Sequence, residues 1–329
     1  MSERFLAWRL FKDEQGFRSM LVERELADIA ADGDVVIRGA YAGVNFKDAL
    51  AGLDRAPIVR QFPCTGGIEL AGAVEQSRDP RFRAGDRVIV HGFGLSAERD
   101  GGFTQRMAVP GDLVVKLPDS LSLFEAGTIG AAGYTAALAI DALELNGLSP
   151  ANGPVAVNGA TGGVASLSID MLSGRGYAVS ALSRKPDDGW LRGLGAAEVL
   201  PPPEVGTRAL ERARWAGAID SLGGRPLDEL LRTMKPNGLI ASFGNAAGNE
   251  LSTSVMPLIL RGVRLIGLNA NSEMALRKRI WARIGSDLRP RHIDRIAQVI
   301  ALDELPRAFE ALIEGRGRGR FVVDLSATP

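Results

Sequence analysis

Residues 155–165 read VAVNGATGGVA, and this stretch decides the fold of the chain. Three apolar residues typical of a buried strand lead into a glycine-rich turn, and a helical pattern continues to about Ser173. Glycine lets the backbone approach a pyrophosphate closely, and the N–H groups at a helix start attract anions. The alternative is a glycine-rich turn that binds no cofactor. We expect dinucleotide contacts from Thr161, Gly162, Gly163 and Val164.

The segments around this turn predict an α/β fold. Short apolar runs alternate with helix-length segments, which is typical of a Rossmann-type, doubly wound parallel sheet. These runs cover residues 155–157, 178–182, 198–200, 218–220, 238–243 and 263–268. Upstream, strand patterns at 34–38, 67–74, 86–90 and 114–117 predict a β-rich block, and an alanine-rich helix over 123–143 is interrupted near 130–133.

The order of the predicted strands and helices divides the chain into three segments. Residues 1–123 form the β-rich domain and residues 124–272 form the Rossmann domain. Residues 273–329 contain two helical patterns, near 274–284 and 305–314, and a strand pattern at 320–325. Because this last segment is too short for a core of its own, we expect it to pack back on the first domain.

The end of the second Rossmann strand indicates which dinucleotide binds. The run 178–182 is followed by Ser183, Arg184 and Lys185. A hydroxyl and two cations suit the 2′-phosphate of NADPH, whereas NAD-specific folds place a carboxylate here. Asp187 and Asp188 follow closely, so NAD remains an alternative, as does a solvated basic turn.

Composition excludes several classes of protein. Lys+Arg and Asp+Glu both total 39, and this neutral balance gives no support for nucleic acid or a membrane surface as partner. With Cys64 as the single cysteine, neither an intramolecular disulfide nor a four-cysteine zinc site is possible. The chain has two histidines, and no spacing indicates a metal site. The charged N-terminus lacks the apolar run of a signal peptide, and no apolar stretch approaches about 20 residues, so we expect a cytoplasmic protein.

Motifs along nearly the whole chain resemble one family. They are VNFKDAL at 44–50, FP at 62–63, GIELAG at 67–72, DPRF at 79–82, AG at 84–85, GF at 102–103, WAGAID at 215–220, VMP at 255–257 and ILR at 259–261. With the glycine turn, they resemble the zinc-free quinone oxidoreductase branch of the medium-chain dehydrogenase/reductase superfamily. Within that branch the chain most resembles acrylyl-CoA reductases.

This resemblance implies a GroES-like catalytic domain and a cofactor in the cleft between it and the Rossmann domain. It implies that Phe46 lies near the nicotinamide and that Ser183 and Arg184 hold the 2′-phosphate. It implies further cofactor contacts from Ile259, from Arg320 and from the backbone of Asn245.

Three positions depart from the pattern of this family. Phe46 is a tyrosine in many relatives, so any role for that hydroxyl is lost. Gly66 replaces a proline. Glu198 stands where relatives carry an arginine near the 2′-phosphate, which weakens the NADPH prediction.

Reduction of an enoyl thioester places negative charge on the carbonyl oxygen, so the site needs a hydrogen-bond donor there. Asn45 is the candidate donor, with Asp48 to orient it. The alternative is that both residues form a helix N-cap, because Asn precedes a helical pattern. His91 follows a predicted strand and is either an acid at the site or a structural histidine.

The sequence therefore predicts an NADPH-dependent reductase of an activated C=C bond, with acrylyl-CoA as the expected substrate. The alternatives are an NADPH quinone reductase and a non-catalytic NADPH-binding protein of the crystallin kind. The segment 263–268 resembles the one through which relatives pair their sheets, so a homodimer is expected.

Overall fold

The alternation of strands and helices predicted after residue 150 is present in the computed structural model, which describes residues 4–185, 189–204 and 206–327. The strands are β1 (Arg4–Asp13), β2 (Gly16–Glu25), β3 (Val35–Gly43), β4 (Cys64–Thr65), β5 (Glu69–Ser77), β6 (Arg87–His91), β7 (Arg106–Val109), β8 (Val115–Lys116), β9 (Val155–Val157), β10 (Val179–Leu182), β11 (Glu198–Leu200), β12 (Trp215–Asp220), β13 (Met234–Ser242), β14 (Arg264–Gly267), β15 (Ala297–Ile300) and β16 (Arg320–Asp324). The helices are α1 (Phe46–Gly52), α2 (Leu123–Leu145), α3 (Gly163–Gly174), α4 (Trp190–Gly193), α5 (Gly224–Thr233), α6 (Met256–Arg261), α7 (Met274–Ile284), α8 (Ile293–Ile296) and α9 (Leu305–Ile313).

The chain divides into two compact units. The first comprises residues 1–131, 271–281 and 296–329, and the second comprises residues 132–270 and 282–295. Residues 282–295 thus group with the second unit, whereas the sequence assigned all of 273–329 to the first. The physical reason is a set of ion pairs inside the second unit: Arg283 pairs with Asp141 and Glu144, and His292 contacts Asp170.

The first unit is built on antiparallel strands. Its larger sheet has the order β15-β16-β3-β5-β6-β8, with β7 also paired to β3, and a smaller sheet has the order β2-β1-β4. The terminal strand β16 pairs antiparallel with β3, with Val322 opposite Gly43. Buried residues including Trp8, Phe103 and Phe309 form the core.

The second unit contains the parallel sheet that the sequence predicts. Among the described residues its strand order is β11-β10-β9-β12-β13-β14, and each neighbouring pair is parallel. The order reverses between β9 and β12, and in doubly wound sheets ligands bind at the carboxyl ends of the strands at this reversal. The glycine turn follows β9 at that point.

Two features of the first unit differ from the predicted pattern. The hairpin of β1 and β2 was not predicted, although it pairs in continuous register from Arg4 with Glu25 to Asp13 with Gly16. Strand β3 continues to Gly43, past the predicted end at residue 38. Gly39 and Gly43 interrupt the apolar alternation there, so the pattern understated the strand.

Helix α2 is broken at Gly130, inside the interruption predicted near 130–133. Gly130 has φ 47° and ψ −150°, which is outside the helical region. By length and composition α2 could cross a membrane, but 78% of its most apolar window is buried inside the protein. A buried core helix of a folded domain has the same composition.

Candidate active site and nucleotide loop

The turn after β9 has the geometry of an anion-binding helix start. Gly159 has φ 58°, and a Cβ at this position would lie 2.7 Å from Ser221 Oγ, so a side chain is excluded. The Gly162 N–H donates to the Gly159 carbonyl (2.8 Å), and α3 begins at the next residue. The first N–H groups of α3 have no acceptor within the helix. Gly162 is exposed, and Thr161, Gly163 and Val164 are half-buried.

A buried carboxylate fixes the base of this turn. Asp220, at the end of β12, accepts hydrogen bonds from Asn158 Nδ2 (2.5 Å) and Ser242 Oγ (2.7 Å). Asn158 Oδ1 in turn accepts from the Ser221 N–H (2.8 Å). These contacts join the ends of β9, β12 and β13, so the turn starts from a rigid platform. This role was not predicted from the sequence, although a carboxylate that ends an otherwise apolar strand was the available signal.

The end of β10 presents the basic group predicted for the 2′-phosphate. Ser183 Oγ accepts a hydrogen bond from the Lys185 N–H (3.0 Å), which forms a turn, and the side chains of Arg184 and Lys185 are exposed. Asp187 and Asp188, which left NAD open as an alternative, lie outside the described residues.

Glu198 forms a hydrogen bond with Ser180, near the start of β10. Its Oε1 accepts a hydrogen bond from Ser180 Oγ (2.6 Å), and the two residues are in register. Ser180 precedes Ser183 by three residues, about 10 Å along a strand. The Glu198 carboxylate therefore has its hydrogen-bond partner at Ser180 and not at Ser183.

Two further predicted cofactor contacts lie in the second unit. Asn245 is exposed, and its Nδ2 donates to Asn249 Oδ1 (2.6 Å). Ile259, in α6, has 67% of its surface exposed. Both residues are accessible, and their contacts with a cofactor stay predictions.

In the first unit, Asn45, Asp48, Glu69 and Arg320 form one hydrogen-bonded group, which we name the Asn45 cluster. Arg320 donates from Nη2 to Glu69 Oε1 (2.6 Å) and from Nη1 to Asn45 Oδ1 (3.0 Å). Asn45 Nδ2 donates to Glu69 Oε2 (3.0 Å) and Asp48 Oδ2 (3.2 Å). This orientation of the amide fits its neighbours, because the oxygen faces the guanidinium and the nitrogen faces the carboxylates.

Asp48 is buried, and its carboxylate accepts hydrogen bonds from two backbone N–H groups and one side-chain amide. Oδ1 accepts from the Ile68 N–H (2.9 Å) and Oδ2 accepts from the Asn45 N–H (2.8 Å). Burial raises the pKa of Asp48 to about 7, the charge of Glu69 adds to the rise, and the hydrogen bonds from Asn45 and Ile68 oppose it. Burial also raises the pKa of Glu69, and the Arg320 guanidinium opposes that rise.

Two glycines make room for the buried ion pair. A Cβ at Gly43 would lie 1.8 Å from Arg320 Nη2, and one at Gly130 would lie 1.9 Å from Glu69 Oε1. Because α2 breaks at Gly130, the N–H of the next residue, Ala131, donates to Glu69 Oε2 (2.7 Å). Side chains at either glycine are therefore incompatible with the pair.

The cluster brings together three residues that the sequence analysis selected, namely Asn45, Asp48 and Arg320. Arg320 is buried at 3% exposure, and its Nε has no hydrogen-bond partner among the described residues. Phe46, the first residue of α1, is 39% exposed. Glu69 received no role from sequence, although a glutamate that starts an apolar strand was the available signal.

Asn45 precedes α1 and so occupies its N-cap position, as the alternative interpretation held. The carboxylate of Asp48 accepts from the Asn45 N–H, which is one half of a capping box. The two amide protons of Asn45 have three acceptors in reach, the third being the Gly43 carbonyl (3.3 Å). A substrate oxygen would have to displace one of these.

Two other candidate residues are enclosed within the first unit. His91 is buried, accepts a hydrogen bond from Trp281 Nε1 (3.0 Å) and lies against Arg277. Burial and the Arg277 charge hold its pKa well below the usual range, which favours the structural interpretation. Cys64 is buried, and burial raises the pKa of its thiol to about 12. Across the described ranges no group of three or more potential metal ligands occurs.

Comparison with known proteins gives the class to which this fold and site belong. Residues 31–119 match the alcohol dehydrogenase GroES-like domain. The chain is 43% identical to "Putative quinone oxidoreductase YhfP" of Bacillus subtilis (91% of this chain, 92% of the relative). It is 36% identical to an acrylyl-CoA reductase of Ruegeria pomeroyi (96% and 98%).

Solved structures agree with this match. A crystal structure of an Escherichia coli protein with bound NADPH has a TM-score of 0.92 at 37% identity, covering 97% of this chain and 99% of that one. A Bacillus subtilis protein with NAD bound has a TM-score of 0.93 at 39% identity, covering 98% and 100%. A GroES-like domain with a Rossmann sheet defines the medium-chain dehydrogenases and reductases, and the chain is an oxidoreductase of that superfamily. It belongs to the quinone oxidoreductase branch, which includes the acrylyl-CoA reductase above.

Proposed function

We propose that this chain reduces the C=C bond of an enoyl thioester with NADPH and that acrylyl-CoA is its substrate. The observation that carries the proposal is 36% identity to an acrylyl-CoA reductase over 96% of this chain. The glycine turn at residues 159–163, which we name the nucleotide loop, supports the choice of cofactor. So do the basic side chains of Arg184 and Lys185 after β10.

The residues present fit NADPH. The turn at 159–163 offers main-chain N–H groups at the start of α3, where positive potential favours a pyrophosphate. Ser183, Arg184 and Lys185 supply a hydroxyl and two exposed cations for the 2′-phosphate. When bound, NADPH supplies the hydride. Cofactor contacts of Phe46, Asn245, Ile259 and Arg320 are part of the proposal.

The Asn45 cluster supports the stabilisation of negative charge in this reaction. The α-carbon then takes a proton from a side chain or from water. In the proposal, the Asn45 amide donates to the thioester oxygen as negative charge develops there, and it exchanges its longest contact, to the Gly43 carbonyl, for this bond. Asp48 accepts from the backbone and the side chain of Asn45 and so orients the amide. The buried Nε of Arg320 is a second donor in the cluster.

A second candidate function is quinone reduction with the same cofactor. The relative named "Putative quinone oxidoreductase YhfP", at 43% identity, favours it.

One assay separates these functions. Purified protein is mixed with NADPH and, in separate reactions, acrylyl-CoA, crotonyl-CoA or a quinone, and the loss of NADPH absorbance is followed. Turnover with the thioesters is expected. Oxidation with the quinone alone would replace the thioester proposal, and tight NADPH binding without turnover on any acceptor would contradict both proposed substrates.

We also propose a homodimer in the cytoplasm. Strand β14 is at the end of the parallel sheet order, and Leu265 in this strand and Leu258 and Leu260 in α6 are exposed apolar side chains. Light scattering should therefore give twice the mass of one chain.

The single cysteine supports a reducing compartment, because no intramolecular disulfide is possible.

A further inference from the structure

We propose that Glu69 is a positioning residue for the reaction, which acts by holding the Asn45 side chain and the start of α1 in one orientation. The inference rests on the proposed reductase function for its kinetic readout.

Glu69 receives hydrogen bonds from three segments that are distant in sequence. Its Oε2 accepts from Asn45 Nδ2 (3.0 Å) and from the Ala131 N–H at the break of α2 (2.7 Å). Its Oε1 accepts from Arg320 Nη2 in β16 (2.6 Å). One carboxylate therefore joins the N-cap of α1, the break of α2 and the last strand.

The cost of this arrangement argues for a specific use. Glu69 is 1% exposed, and burying a carboxylate and a guanidinium removes both from water. An apolar pair of similar volume would stabilise a fold as well or better. Gly43 and Gly130 keep the space around the pair free of side chains. The fold thus maintains a charged group where packing alone does not require one.

The direction of the hydrogen bonds shows what the pair controls. Arg320 donates to Asn45 Oδ1, while Glu69 accepts from Asn45 Nδ2. A 180° rotation of the amide would place its oxygen against a carboxylate and its nitrogen against a guanidinium. Glu69 and Arg320 together fix which end of Asn45 faces which neighbour, and the backbone that continues into Phe46 is fixed with it.

Glu75 provides a matched control on the same strand. It pairs with Arg106 (2.9 Å), and both side chains are partly exposed. Glu75→Gln and Glu69→Gln therefore make the same chemical change in two Glu–Arg pairs of β5, only one of which contacts Asn45.

The kinetic test compares these two variants with acrylyl-CoA and NADPH. Glu69→Gln keeps the shape of the side chain but replaces one acceptor oxygen with an NH2 donor. This donor would face either the Arg320 guanidinium or the N–H groups of Asn45 and Ala131. We expect kcat to fall about tenfold or more, the equivalent of about 1.4 kcal/mol or more. Glu75→Gln should keep kcat within about twofold. Equal kcat in wild type and Glu69→Gln would overturn the proposal.

A double-mutant cycle tests whether Glu69 acts through Asn45. In an Asn45→Ala background, the further effect of Glu69→Gln on kcat should fall below about twofold. The same tenfold loss in both backgrounds would assign Glu69 a general structural role and contradict the proposal. If Glu69→Gln does not fold, Glu69→Asp keeps the charge, withdraws the carboxylate by one methylene and enters the same cycle.

Hydrogen exchange gives a readout that does not depend on the substrate. Glu69→Gln should speed amide exchange in residues 43–50, whereas Glu75→Gln should leave that segment as in wild type. Absent turnover in the wild type would count against the proposed function alone, because the exchange result still decides the inference. Unchanged exchange at 43–50 in Glu69→Gln would overturn it.

Discussion

The nucleotide loop and the Asn45 cluster use polar groups in opposite ways: the loop presents them to a ligand, and the cluster pairs them with one another. The first main-chain N–H groups of α3 have no acceptor within the helix, and the adjacent Gly162 is exposed, so the loop is prepared for an anion. The side chains of the cluster bind one another, and of its buried side-chain nitrogens and oxygens only Arg320 Nε has no partner in the described part of the chain. The difference shows that a binding surface can be made by backbone geometry alone, whereas a fixed side-chain orientation requires charged partners.

The largest expected effect comes from placing a carboxylate in the loop. Gly162 is the N-cap of α3, where Asp is a favoured residue, so Gly162→Asp should preserve the helix. Its charge would oppose a bound pyrophosphate by about 4 kcal/mol at 4 Å and intermediate dielectric. We expect the NADPH Kd to rise more than about 100-fold, as measured by fluorescence titration.

Gly162→Asn is the matched control, because it has the same shape and N-cap preference without the charge. It should weaken NADPH much less than Gly162→Asp does. Similar affinities for the two variants would mean that no anion binds at the start of α3, and the contrast between loop and cluster would fail.

The next effect tests the side-chain part of the nucleotide site. Arg184 is exposed after β10, and removing a charged hydrogen bond to a phosphate costs about 1.5–3 kcal/mol. Arg184→Ala should therefore raise the NADPH Kd about 10- to 100-fold and leave the NADH Kd unchanged. Arg225→Ala, another exposed arginine of the second unit, should change neither value. Equal weakening of both nucleotides by Arg184→Ala would refute the 2′-phosphate assignment.

Counted per pH unit, the smallest effect is the pH dependence of stability in the cluster. The pKa of Asp48 is raised from 3.8 to about 7, so between these values only the unfolded chain releases this proton. The contribution of Asp48 to stability is present below pH 4, is lost as the pH rises to 7, and then stays constant. The loss is at most about 1.4 kcal/mol per pH unit.

Asp48→Asn removes this titration, so the wild type should lose stability relative to the variant between pH 4 and 7. Denaturant unfolding at several pH values measures the difference. The variant is less stable at low pH through its altered hydrogen bonds, so only the slope is informative. Parallel curves for the two proteins would show that Asp48 keeps an ordinary pKa, in spite of its burial and the nearby Glu69.

The loop was predictable from sequence because its determinants are contiguous. Strand, turn and helix start lie within residues 155–165, and the glycine at 159 has the positive φ that such a turn needs. The parallel sheet followed from the same alternation. The buried Asn158–Asp220 contact was missed, since the two residues are far apart in sequence and become neighbours only when β9 and β12 pair.

The cluster was only partly predictable, for the same reason. Asn45 and Asp48 stand three residues apart and were found together, and Arg320 entered through the family resemblance. Glu69 joins them through pairing that no local pattern encodes, and the role of the break at Gly130 depends on where that carboxylate lies. The N-terminal hairpin was missed because neither strand shows a clear alternation: residues 7–10 of β1 are all buried, and every residue of β2 is partly or fully exposed.

The Glu69–Arg320 pair occupies the space where side chains at positions 43 and 130 would lie. This limits the order in which these positions can change in evolution. A methyl group at Gly43 collides with both members of the Glu69–Arg320 pair, so Gly43→Ala is closed while the pair exists. Replacing the two charged side chains by alanine removes the three atoms that a Cβ at position 43 would meet first. We therefore expect these positions to change in a fixed order in evolution, with Glu69 and Arg320 replaced before Gly43.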